Sequence, residues 1–214
     1  MKVYIVGYDD LIDRMFKKRN FTTVDDPKDA DILCFTGGAD VSPHLYGEDI
    51  IPGTYCDPDR DEHEEELYDL YKESKFMVGI CRGGQFLNVM NGGRMYQDVD
   101  NHTRNHFVYA PDGNKLCEVT STHHQMMIPH HSGKVMVYGR ESTTRVRQRG
   151  TFVGSPFTDD IEVVHYPTAK ENRGALCFQP HPEYGHKDTE EFFLCLGAVN
   201  DQAKVFLGLD KEKV

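Results

Sequence analysis

The stretch Phe76-Met77-Val78-Gly79-Ile80-Cys81-Arg82-Gly83-Gly84-Gln85 decides how this chain is read. The apolar run predicts a buried strand, and the segment from Gln85 to Met90 predicts a helix. A cysteine stands at the join, with glycines two residues before it and two after. A tight strand-to-helix turn forces the residue at its tip into a strained backbone conformation, and the flanking glycines let strand and helix approach closely. The thiol then sits at the positive end of a helix dipole, which favours the thiolate. The pattern predicts a nucleophilic cysteine and acyl chemistry.

Outward from this turn, short apolar strands alternate with helical stretches. Lys2–Val6, Phe21–Val24, Ile32–Phe35 and Lys75–Ile80 read as strands; Asp10–Lys18 and the acidic Asp59–Glu73 read as helices, the latter with Leu67, Leu70 and Tyr71 on one face. This alternation predicts an α/β fold, a mostly parallel sheet with helices on both faces. The second half is richer in strands: Arg94–Val99 follows the turn's helix, then Lys115–Thr120, Lys134–Tyr138, Ile161–Tyr166 and Gly174–Phe178, so antiparallel strands are expected beside the parallel core. The polar stretch from Gly139 to Gly154 reads as a mobile loop, and Thr189 to about Val205 as a last helix, with Asp188 as N-cap and Glu191 completing a capping box. The acidic helix reads as a solvated face. No repeat or linker divides the chain, which is expected to form a single domain over 1–214.

Bulk properties exclude several functions. A net charge of -11 argues against binding a phosphate backbone, so no nucleic-acid partner is expected. No run of eighteen apolar residues exists, and the start Met1–Gly7 is soon followed by Asp9 and Asp10; neither a membrane span nor a secretion signal is expected, and the expected location is the cytoplasm. The six cysteines include no C-x-x-C pair, and a disulfide framework is not expected. Cys34, Cys117 and Cys177 lie in apolar strand-like runs and Cys195 in a helical pattern, where free cysteine acts as a small hydrophobe. Cys81 is the exception.

A nucleophilic cysteine needs a base and a group that orients it. Late in the chain stands Phe178-Gln179-Pro180-His181-Pro182-Glu183. A strand ends, a histidine is held between two prolines, and a carboxylate two residues on can fix the imidazole tautomer. Cys81, His181 and Glu183 therefore read as nucleophile, base and orienting group. An oxyanion needs backbone donors: one is expected from the amide of Arg82, the second from Thr36-Gly37-Gly38 at the end of another strand, with Gly38 as the donor. The pairs His123-His124 and His130-His131, with His186, raise the thought of a metal. Adjacent histidines point to opposite sides of a strand and the sequence has no zinc-type spacing, so neither metal nor cofactor is expected.

These residues resemble the class I glutamine amidotransferase-like enzymes, and more narrowly the peptidase C26 branch that contains the γ-glutamyl-γ-aminobutyrate hydrolases. The likeness is carried in order by Thr36-Gly37-Gly38-Ala39-Asp40-Val41-Ser42-Pro43 with Leu45-Tyr46-Gly47-Glu48, Asp59-Arg60-Asp61-Glu62, Gly79 to Gln85, Leu87-Asn88-Val89, Gly92-Gly93, Gln97-Asp98-Val99, Val119 to Gln125 and Gln179 to Glu183. The resemblance implies a flavodoxin-like fold, a Cys-His-Glu triad and attack on a γ-glutamyl amide through a glutamyl thioester. It implies that Gln85, on the helical face of Cys81, contacts the glutamyl group, and that Ser121, Thr122 and His123 hold its amino and carboxylate end, partly through backbone. It also allows Asp59-Arg60-Asp61-Glu62 a bracing role. The chain departs from the pattern at Pro180, where an aromatic residue or glycine often precedes the catalytic histidine, and in its short segment between Asp98 and Val119.

The functional expectation is a glutaminase whose small-molecule substrate is glutamine or another γ-glutamyl amide and whose ammonia passes to a partner synthase. The alternative is a free-standing hydrolase of γ-glutamyl amines or peptides. A non-catalytic relative is a third reading, and the intact Cys81, His181 and Glu183 speak against it.

Overall fold

The computed structural model describes residues 1–140, 145–148, 151–154, 160–167 and 174–184. The expected last helix, with Asp188 and Glu191, and also His186 and Cys195, lie outside the described residues. Three α-helices, α1 (Asp10–Lys17), α2 (Pro58–Tyr71) and α3 (Arg82–Met90), accompany thirteen strands among the described residues. These are β1 (Lys2–Val6), β2 (Thr22–Thr23), β3 (Ile32–Phe35), β4 (Phe76–Ile80), β5 (Arg94–Tyr96), β6 (His106–Tyr109), β7 (Lys115–Val119), β8 (Met126–Ile128), β9 (Lys134–Gly139), β10 (Arg145–Gln148), β11 (Thr151–Gly154), β12 (Asp160–Tyr166) and β13 (Ala175–Phe178).

Nine strands form one sheet in the order β2-β1-β3-β4-β13-β12-β9-β6-β7. The pairings from β2 to β13 are parallel, and those from β13 to β7 antiparallel. This is the expected flavodoxin-like α/β arrangement, with antiparallel strands from the second half of the chain added beside the parallel core. The central strands β3, β4 and β13 are buried at every position, as a sheet covered on both faces requires.

Strand alternation divides the core into two layers. Val3, Ile5, Ile32, Cys34, Phe76 and Val78 meet Ile12, Met15 and Phe16 of α1 on one face. Leu33, Phe35, Met77 and Cys177 meet Leu67 and Tyr68 of α2 and Phe86 and Leu87 of α3 on the other. Cys34, Cys117 and Cys177 are buried strand residues, as their apolar settings predict. The start of α1 is set by its sequence: Asp9 caps the N-terminus through the amides of Leu11 and Ile12.

Three expectations are corrected. Leu70 is 68% exposed and Tyr68, not Leu70, joins Leu67 and Tyr71 on the buried face of α2. The first half of α2 is no solvated face either, because Asp61 and Glu64 are each only 1% exposed. The stretch read as a polar loop contains β10 and β11, which pair antiparallel from Arg145↔Gly154 to Gln148↔Thr151. Val146, Thr151, Phe152 and Val153 supply the β-forming residues there, scattered among arginines that obscure the pattern. The strands β6 and β8, only four and three residues long, were not legible.

Candidate active site

The sheet register builds the site. β4 and β13 run parallel with Phe178 opposite Ile80, so the residues that follow each strand emerge side by side. Cys81 follows one and His181 the other. Cys81 takes φ 52 and ψ -114, a region costly for any residue with a Cβ, and its amide donates to the carbonyl of Phe178 at 2.6 Å. The glycines explain why the strain is tolerated. A Cβ on Gly79 would lie 2.2 Å from the carbonyl oxygen of Gly83, so strand and helix touch through bare backbone.

The structure brings Cys81, His181 and Glu183 together. The His181 ring and Cys81 Cβ both come within 3.9 Å of the point where a Cβ on Gly37 would stand, and His181 Nδ1 lies 2.6 Å from Glu183 Oε1. All three residues are 8% exposed. Burial works against charge on the imidazole, but the hydrogen bonds and negative charges of Cys81 and Glu183 outweigh it and hold His181 up at about 10. An imidazolium of that kind is the partner a thiolate needs. Burial pushes the thiols of Cys34 and Cys177 up, which leaves them inert.

Further residues hold the triad, and nothing in their local sequence gives them that role. Thr120 Oγ1 accepts from the amide of His181 at 3.0 Å and donates to its carbonyl at 3.2 Å, pinning the backbone on both sides. The Tyr184 ring stacks on the His181 imidazole with centroids 4.5 Å apart and an interplanar angle of 2°. Gln179, fully buried, lies 4.0 Å from Cys81 Sγ through Nε2 and accepts from Gln85 Nε2 at 3.1 Å. Gln179 was visible as part of a motif, but its neighbours are set by tertiary contact.

Gly38 and Arg82, expected as oxyanion donors, line the same cleft as Cys81. A Cβ on Gly37 would lie 3.1 Å from His181 Cε1 and 3.8 Å from Cys81 Cβ, so the loop after β3 abuts the triad directly. Gly38 has φ 145, and a Cβ there would come within 2.1 Å of Arg60 Nη1. Arg82 is the first residue of α3, and its amide has no acceptor within the helix. The loop is held by Arg60, which donates to the carbonyls of Gly37 and Thr36, each at 2.9 Å. Arg60 also pairs with Glu64 at 2.7 Å, while Arg82 pairs with both Glu64 and Asp61, and Asp61 accepts from the amide of Ser42 at 3.1 Å. Two arginines and two carboxylates of α2 and α3 thus fix the loop facing Cys81. The bracing role that the resemblance allowed falls to Arg60 and Asp61.

A cleft of about 240 Å³ opens at Cys81, lined among others by Gly38, Arg82, Gln85, Thr122 and His123. His124 and Asp40 also line it and face each other at 3.1 Å. The Asp40 hydrogen bond raises the His124 pKa despite partial burial. The Ser121 hydroxyl donates to the His102 carbonyl at 2.6 Å, and Ser121 is not among the lining residues. His123 is buried, and burial first, then neighbouring His102, pushes its pKa well below the ordinary value. A neutral imidazole whose Nδ1 donates to the carbonyl of Gln125 at 2.7 Å follows.

This geometry agrees with what known proteins share with the chain. The sequence profile of the peptidase C26 family matches residues 25–183, the span from the turn after β2 to the triad glutamate. YvdE of Lactococcus lactis, a glutamine amidotransferase-like protein by name, is 42% identical over 91 residues, 41% of this chain and 36% of its own. Rv2859c of Mycobacterium tuberculosis, named as a glutamine amidotransferase, is 31% identical over 186 residues, 80% of this chain and 56% of its own. The chain thus spans from about a third to just over half the length of these relatives. Among solved structures, a Thermoplasma acidophilum protein named as part of a GMP synthase superposes with a TM-score of 0.64 at 16% identity, covering 99% of this chain and 98% of that one. A glutamine amidotransferase of Thermotoga maritima gives 0.55 at 16% identity, covering 98% and 94%. At these identities the likeness establishes the fold.

Proposed function

The chain belongs to the peptidase C26 family, and on that premise we propose that it is a cysteine hydrolase of γ-glutamyl amides. The observation that carries the reading is Cys81 at a strained strand-to-helix turn, open to a cleft and beside a His181 that pairs with Glu183. Cys81 Sγ attacks the amide carbon and the C–S bond forms. The oxyanion is stabilised by the amides of Gly38 and Arg82. His181, charged and oriented by Glu183, gives its proton to the leaving nitrogen as the C–N bond breaks. The glutamyl thioester remains. His181 then takes a proton from water, the hydroxide equivalent attacks the thioester, and glutamate leaves as the thiolate is restored. Gln85, held by Gln179 and the carbonyl of Gln125, meets the glutamyl side chain, and the Thr122–His123 wall meets its far end.

The leaving amine divides the reading in two. Ammonia from glutamine, handed to a partner synthase, suits relatives and neighbours whose names are those of glutamine amidotransferases. A larger amine or a peptide, cleaved without a partner, is favoured by the peptidase C26 match over residues 25–183. Among the described residues no helix is long and apolar enough to cross a membrane. The experiment is glutamate release from L-glutamine and from γ-glutamyl-GABA, with Cys81→Ala as control. Turnover of the second substrate alone supports the free-standing hydrolase; turnover of glutamine alone supports the ammonia donor. Release that persists in Cys81→Ala overturns both.

A further inference from the structure

Behind the His123 wall of the cleft lies a second cluster that the proposed reaction does not use. His102, His106 and Glu162 are 0%, 5% and 1% exposed, and each offers one ligand atom within 4.8 Å of the other two. His106 Nε2 lies 2.8 Å from Glu162 Oε1, and His102 Nε2 lies 3.3 Å from Asp160. The His102 ring stands 5.6 Å from that of His106 and 4.7 Å from that of His123.

One atom of the cluster calls for a further partner. Glu162 Oε2 is buried and has no hydrogen-bond partner among the described residues. A carboxylate oxygen left bare in the interior is expensive, and such groups in native proteins signal a bound water or ion. There is room beside the pair because Gly139 carries no side chain: a Cβ there would lie 3.0 Å from Glu162 Oε1 and 3.1 Å from His106 Nε2.

We propose that His102, His106 and Glu162 form a structural site for a divalent ion of the zinc class. Two imidazole nitrogens and one carboxylate oxygen suit zinc and its first-row neighbours, whereas calcium and magnesium require oxygen ligands throughout. Ligands about 2.1 Å from a tetrahedral ion stand roughly 3.4 Å apart, so the set closes by side-chain shifts of roughly an ångström. Asp160, against His102, supplies the outer carboxylate that orients a ligating imidazole. The ion clamps β6 to β12 across β9, since Val108 of β6 and Asp160 of β12 both pair with Gly139. It also steadies the cleft wall, because the His102 carbonyl accepts from Ser121 Oγ at 2.6 Å and from the His123 amide at 3.2 Å. Of the histidines weighed in the sequence for a metal, His123, His124, His130 and His131 are not in this set and His186 lies outside the described residues; the set uses His102 and His106, four apart in the short segment after Asp98.

The test uses the whole protein and needs no substrate. Metal content is measured by elemental mass spectrometry as purified, after chelation, and after reloading with Zn²⁺; Co²⁺ is added to the chelated protein and its visible absorption followed. The expected result is one ion per chain, a lower melting temperature on chelation that Zn²⁺ restores, and a Co²⁺ spectrum of low coordination number. Glu162→Gln should weaken Zn²⁺ binding by at least about 100-fold, more than an outer-shell change. Failure of the chelated wild-type protein to take up either ion overturns the proposal without recourse to a variant. So does uptake that survives Glu162→Gln but is lost in His130→Ala/His131→Ala, which would place the ion at that surface pair.

Discussion

Removing Asp61 tests whether the buried charges of α2 and α3 hold the loop facing Cys81. Arg82 is 2% exposed and shares its charge between Asp61 and Glu64, and Glu64 is shared in turn with Arg60. The four groups balance. In Asp61→Ala one carboxylate must serve two guanidinium groups, and a positive charge is left uncompensated in the interior. Breaking a buried pair from one side costs about 3–5 kcal/mol. The amide of Ser42 loses its acceptor as well, worth about 1 kcal/mol. Taken near the lower end, because Glu64 remains, the loss is about 4 kcal/mol. For a domain of this size each kcal/mol moves the melting temperature by about 2–4 °C, so the midpoint should fall by roughly 8–16 °C in thermal unfolding followed by circular dichroism. The sharper test adds Arg82→Met to Asp61→Ala, which restores the balance and leaves Arg60 with Glu64. The double variant should be more stable than the two single losses summed, by about 2 kcal/mol. A loss under about 1 kcal/mol in Asp61→Ala, or strict additivity in the cycle, would refute the reasoning.

Four further outcomes follow from the site. His181, held up at about 10, should remain protonated by histidine NMR well above neutrality, and in Cys81→Ala its midpoint should fall because its largest favourable partner is gone; an unchanged midpoint contradicts the pairing of His181 with Cys81. Because that pKa is raised in the folded state, the stabilisation it brings is complete below about 6.5 and disappears as the pH rises through about 10, so wild type and Cys81→Ala should converge in denaturant midpoint toward pH 10. Tyr184→Ala should lower kcat up to about tenfold, the worth of one ring stack, with KM little changed, while Tyr184→Phe keeps the rate; equal losses in both would give the effect to the hydroxyl instead. Gly38→Ala should cost about 1–3 kcal/mol of stability and nearly all turnover, since its φ of 145 and the nearby Arg60 guanidinium leave no place for a Cβ; a fully active, stable variant would remove Gly38 from the oxyanion loop.

How far the residues alone lead depends on the range of the interactions involved. The turn at Cys81 was legible because strain, close backbone approach and helix polarity all act within a short stretch of chain. The triad was legible because His181 and Glu183 are two apart between and beside prolines, although only the parallel register of β4 and β13 brings them to Cys81. The central strands announced themselves by unbroken apolar runs. What stayed hidden is set by partners far along the chain. Asp61 and Glu64 look like any acidic helix face until Arg82 comes against them, and nothing near Ser121 in the chain announces the bond of its hydroxyl to the His102 carbonyl. Leu70 and Tyr68 changed places because the helix rotates to bury those same carboxylates rather than its most apolar stripe. Gln179, Thr120 and Tyr184 acquire their roles only once β13 lies beside β4. The strands β6 and β8, four and three residues long, are too short to mark a period.

The most direct test of the account is intact-mass measurement of the protein quenched in acid during turnover of L-glutamine or γ-glutamyl-GABA. Acid stops the hydrolysis step and preserves a thioester. The account predicts a glutamyl adduct that maps to Cys81, is absent from Cys81→Ala, and forms more slowly in Glu183→Gln, where the imidazole loses its orienting carboxylate. Turnover with no adduct at Cys81, or an adduct on another cysteine, would contradict it.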